Sequence, residues 1–102
     1  METGEFMPDS TRLADYCTGH DSCAPTPLIT ASANVFINGK GAGRMGDLYD
    51  AHGCVAHPSH QDYIETGSET VFINNCQAGR IGDPVILAGS VRDGSNNVII
   101  GG

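Results

Sequence analysis

Tryptophan is absent from this 102-residue chain, aromatics make up 6% of it, and five lysines and arginines face twelve aspartates and glutamates. Each shortage excludes something. With 39% hydrophobic residues there is little material for a thick core. A formal charge of −7 with so few cations leaves no cluster of Lys and Arg for phosphates, so nucleic acid is not an expected partner. No run approaches the roughly 18 to 20 apolar residues that cross a bilayer, and no basic segment leads into an apolar core, so neither an anchor nor an ordinary signal peptide is expected. No window keeps apolar residues at helical spacing for three turns, because the 14 glycines and five prolines interrupt it. The chain therefore reads as one all-β domain rich in turns. Met1–Phe6, ahead of a second methionine at Met7, reads as an expression scar or a disordered terminus, which leaves 7–102 as the domain.

An internal repeat organises what is present. Thr30–Asp47 (TASANVFINGKGAGRMGD) and Thr66–Asp83 (TGSETVFINNCQAGRIGD) lie 36 residues apart and share eleven of 18 positions. Each unit has hairpin grammar: an apolar run, Val35-Phe36-Ile37 or Val71-Phe72-Ile73; a polar turn, Asn38-Gly39 or Asn74-Asn75; then a return arm ending in Arg-x-Gly-Asp. Arg12-Leu13-Ala14-Asp15 matches the end of a unit, with Ala for Gly, and Gly94–Ile100 matches the beginning of one. Together they make a split third repeat. The expected architecture is a small pseudo-threefold cone of three short β-hairpins, one of them assembled from both chain ends. Arg44, Asp47, Arg80 and Asp83 read as structural corner residues.

All four histidines follow such a corner. His20 is five residues after Asp15 and His52 five after Asp47, so the repeat delivers two imidazoles to equivalent places near the axis, while the third place is Ala88. The segment His52-Gly53-Cys54-Val55-Ala56-His57-Pro58-Ser59-His60 is rich in further donors. Four of the five residues His20, His52, Cys54, His57 and His60 are expected to hold one metal, with His20, His52 and Cys54 favoured and His57 or His60 completing the set. A tetrahedral mixture of nitrogen and sulfur suits zinc, and a closed site would be structural, adding stability that a thin core lacks. Of the other cysteines, Cys17 and Cys23 flank His20, which leaves a Cys17–Cys23 disulfide open, and Cys76 stands where the first repeat has Lys40.

This combination of hairpins, V-F-I-N-G, A-G-R-x-G-D and a His/Cys-rich loop resembles the PAAR-repeat proteins over essentially all of 7–102. Gly41-Ala42-Gly43-Arg44 and Gln77-Ala78-Gly79-Arg80 keep only the first Ala and the Arg of the Pro-Ala-Ala-Arg for which the family is named. The resemblance implies a non-enzymatic tip, hardened by zinc near its apex. Its base would sit, one copy per trimer, on a β-helical spike of the VgrG type or of a contractile phage tail. It also implies transient contact with a target membrane, effectors as further candidate partners, and a location at the tip of a virion or type VI secretion spike, cytoplasmic before firing. Only Gly101 and Gly102 follow the last strand, so a bare tip without a fused toxin is expected. Two other readings remain: a small zinc hydrolase in which water takes a fourth metal position, though no H-E-x-x-H arrangement provides its base and only Asp50 and Asp62 stand near in sequence, and a disulfide-stapled secreted binding module.

Overall fold

The computed structural model describes residues 8–102, so the reading of Met1–Phe6 lies outside the described residues. Those described are all-β, without a helix. Four two-stranded antiparallel hairpins follow one another: β1 (Phe36–Ile37) with β2 (Lys40–Gly41), β3 (His52–Cys54) with β4 (His57–His60), β5 (Phe72–Ile73) with β6 (Cys76–Gln77), and β7 (Pro84–Val85) with β8 (Gly89–Ser90). The β1–β2 and β5–β6 hairpins are those expected from the repeat. Their turns sit at Asn38-Gly39 (φ 54 and 79) and Asn74-Asn75 (φ 55 and 68), the left-handed pairs that a type I′ turn requires. The donor-rich connection is itself a hairpin, β3–β4, rather than a loop.

The split repeat closes as expected. Gly43 N–H donates to Thr11 O (2.9 Å), Gly79 N–H to Gly43 O (2.9 Å) and Thr11 N–H to Gly79 O (3.1 Å), a cyclic ring of three hydrogen bonds about the axis. Around it, Ser10 N–H donates to Val98 O, Ala42 N–H to Val35 O and Ala78 N–H to Val71 O, at 2.9, 2.9 and 3.0 Å. Ser95 therefore stands with Ser32 and Ser68, and each buried hydroxyl accepts backbone N–H groups two and three residues on. That side-chain cap starts each hairpin. Because segments near the two chain ends pair through an isolated bridge between Asp9 and Ile99, the ring has no open seam there.

The ring has room for one side chain. A Cβ on Gly43 would come within 2.7 Å of Thr11 Cγ2 and 2.9 Å of Leu28 Cδ2, and one on Gly79 within 3.1 Å of Thr11 Cγ2. Thr11 fills the axis for all three units. At each corner the arginine reaches the aspartate three residues on through Nε and a terminal nitrogen, at 2.9 and 3.2 Å for Arg12–Asp15, 2.9 and 3.0 Å for Arg44–Asp47, and 3.1 and 2.9 Å for Arg80–Asp83. The hydrogen bonds that Arg12 and Arg44 donate to Asp15 and Asp47 raise the two guanidinium pKa values. The third corner residue has positive φ in all three units: Gly46 and Gly82 at 92°, and Ala14 at 75°.

Beyond each corner the arms carry the core in layers. Leu28, Ile64 and Val91 pair with Tyr49, Val85 and Cys17 of neighbouring units, and these six buried residues form one cluster. A second cluster of Ile37, Ala42, Ile73, Ala78 and Ile100 lies under the hairpins. Cys17, two residues after Asp15, is thus a core side chain equivalent to Tyr49 and Val85, and its thiol is free. The expected alternative of a Cys17–Cys23 bridge is corrected here: Cys23 is joined to Cys54.

Candidate metal centre

Three residues further along each arm the threefold pattern breaks. The first arm turns tightly at Gly19, whose φ of 73° and proximity to the Cys23 carbonyl exclude a Cβ, and brings in His20. The second arm brings in His52, paired across β3–β4 with His60. The third arm turns back at Leu87-Ala88, both with positive φ, and offers no donor.

His20, His52 and His60 direct their Nε2 atoms at one another, each pair 3.1 Å apart. The buried Asp62 carboxylate completes the group. Its Oδ2 is 3.1 Å from His20 Nε2 and 3.0 Å from His52 Nε2, and its Oδ1 is 3.0 Å from His60 Nε2. Neither oxygen receives a hydrogen bond, although both are buried. These separations have hydrogen-bond length, yet none of the three imidazole–carboxylate contacts is a hydrogen bond.

The far side of two rings explains why. His52 Nδ1 is 2.6 Å from Ala24 O, and His60 Nδ1 is 2.7 Å from Pro58 O. A carbonyl only accepts, so both Nδ1 atoms carry the proton, which in a neutral ring leaves the Nε2 lone pair facing inward. Two lone pairs and two carboxylate oxygens then converge in a buried space, an arrangement that repels itself unless a cation sits among them. A regular tetrahedron with edges of about 3.1 Å has its corners about 1.9 Å from its centre, near the roughly 2.0 Å of a zinc–imidazole bond. The three Nε2 atoms and the Asp62 carboxylate fit a small divalent ion.

The residues named from the sequence are divided by the structure. His20, His52 and His60 meet. Cys54 does not join them, because its sulfur is bonded to Cys23 31 residues away and offers no thiolate. The disulfide ties the two ligand-bearing arms together beside the cluster. His57 turns outward, with Nε2 2.7 Å from Asp21 Oδ2, a hydrogen bond that holds the Asp21 carboxyl below its ordinary pKa. Asp62 is the ligand-type residue that the sequence reading passed over. Its signal was the spacing His60-x-Asp62: alternate residues of an extended arm share a face.

A scan against protein-family models matches the PAAR motif over residues 18–87, more than half of the chain, and the chain belongs to that family. It is a structural family, not an enzymatic one. No curated protein matches the chain. Among the described residues no helix is long and apolar enough to cross a membrane.

Proposed function

We propose that this protein caps the blunt end of a trimeric β-helical spike in a contractile injection machine, with one structural zinc ion hardening its apex. The observation that carries the reading is the closed ring of Thr11, Gly43 and Gly79, which gives a single chain a threefold base. Equivalent hairpin positions leave Phe36, Phe72 and Ile99 exposed at 60%, 56% and 53%. Three outward apolar side chains in threefold array suit a trimeric partner, and one chain with three similar units meets a trimer without a symmetry mismatch. The zinc would lie among His20, His52, His60 and Asp62, neutralising the converging lone pairs and joining the first two arms. Contact with the target membrane and carriage of effectors belong to the same reading.

Mixing the protein with a trimeric spike from the same genome should give one copy per trimer by native mass spectrometry. Replacing Phe36 and Phe72 together with Asp should abolish that complex while the chain stays folded. Absence of any complex with the cognate spike would overturn the reading. A zinc hydrolase needs a metal position open to water, and Asp62 as a fourth donor would close it.

A further inference from the structure

His20 differs from the other two histidines of the centre. His52 and His60 each donate Nδ1–H to a carbonyl, whereas His20 Nδ1 is buried, with the side chain 1% exposed, and has no hydrogen-bond partner. An imidazole that coordinates through one nitrogen ordinarily has the other satisfied, so a bare, buried Nδ1 marks an incomplete arrangement. It faces a second group of donors. Asp21 Oδ2 lies 4.0 Å away, and that same oxygen is 2.7 Å from His57 Nε2. The ligand atoms of His20, Asp21 and His57 all lie within 4.8 Å of one another. The His57 ring stands nearly perpendicular to His20, at 75° with centroids 5.0 Å apart. Asp21 adopts a φ of 50°, in the left-handed region where a non-glycine residue is uncommon.

We propose that the apex holds a second, outer divalent ion on His20 Nδ1, the Asp21 carboxylate and His57 Nε2, with the His20 ring shared between the inner and outer ions. The inference rests on the inner site being a metal centre. Two imidazoles and a carboxylate suit zinc, nickel or copper(II), and solvent completes the coordination, because Asp21 and His57 lie at the surface. The chemistry is simple: the Nδ1 proton leaves to water as a metal–nitrogen bond forms, and nothing is oxidised or reduced. The outer ion would bind after the inner one and more weakly, since two of its three protein ligands are partly solvent-exposed.

Chelator-stripped full-length protein, in a Cys76→Ser background that removes the partly exposed free thiol, would be titrated calorimetrically with zinc. Two binding phases are expected. The weaker phase should vanish in both His57→Ala and Asp21→Asn while the tighter one persists. Loading with copper(II) should then give a magnetically coupled pair, with an electron-spin signal smaller than the sum of two isolated ions. A single phase in the parent overturns the proposal, and so does a double-copper signal that is simply additive. If Asp21→Asn instead weakens the only phase, Asp21 merely orients His20 and no outer ion exists. No binding at all would overturn the inner site as well, which distinguishes the two failures.

Discussion

The base and the apex are built by opposite rules. At the base the three units repeat the same chemistry: one buried serine cap, one Arg–Asp corner and one strand of the central ring each, with hydrogen bonds that agree within a few tenths of an ångström. At the apex the units differ, with His20 on the first arm, His52, His60 and Asp62 on the second, and Ala88 on the third. Coordination geometry accounts for the contrast. A strict threefold set supplies donors in threes, and the fourth corner of a tetrahedron on the axis would have to come from the axis itself. Letting one arm provide three donors and another provide none removes that conflict. Symmetry is kept in the central ring and its hairpins and abandoned around the His20, His52, His60 and Asp62 cluster.

Several experiments would break or sharpen that contrast. The largest effect is expected from removing the metal. At free zinc a thousandfold above its dissociation constant, binding contributes about 4 kcal/mol of stability, so chelation should lower the melting temperature sharply. Hydrogen exchange should rise over residues 17–26 and 50–63 while the Thr11–Gly43–Gly79 ring stays protected. Equal loss at both ends would mean that base and apex are one cooperative unit.

Next comes the ring. Gly43→Ala should cost about 2 kcal/mol in denaturant unfolding, because its methyl meets Thr11 and Leu28. Gly79→Ala should cost less, since its methyl approaches Thr11 and Ile64 less closely. A smaller and opposite effect is expected at Tyr49. Its hydroxyl is buried without a partner, and burial pushes its pKa far above the ordinary range. Tyr49→Phe should therefore stabilise the protein by about 1 kcal/mol, by removing an unsatisfied polar group. The smallest effect tests the one flaw in the corner pattern. Ala14 holds a left-handed conformation that Gly46 and Gly82 hold without strain, so Ala14→Gly should gain about 0.5 kcal/mol in thermal unfolding, relief of strain outweighing added freedom in the unfolded chain.

The base was largely legible in the sequence because its information is local and repeated. Asn38-Gly39 specifies its turn wherever it falls, and eleven shared positions in 18 identify the unit. Even the split repeat could be read from its two halves. The apex was half legible. Counting from the corners equates His20 with His52 and exposes Ala88 as the vacancy, and the same count, two residues after the corner, would have assigned Cys17 to the core beside Tyr49. What spacing could not supply was long-range pairing. The Cys23–Cys54 bond depends on the first and second arms lying side by side, and it takes away the sulfur that composition alone offers to a metal. Asp62 was hidden for a related reason: until the β3–β4 hairpin is formed, nothing separates it from other acidic residues of an acidic chain.

The claim most exposed to test is that the centre is three imidazoles and a carboxylate, with both nearby cysteines engaged elsewhere. X-ray absorption at the zinc edge of protein purified without reductant, in a His57→Ala background, measures this directly. The account predicts a first shell of nitrogen and oxygen only, at roughly 2.0 to 2.1 Å. A sulfur scatterer at about 2.3 Å would contradict it, returning Cys54 to the metal and removing Asp62 from it.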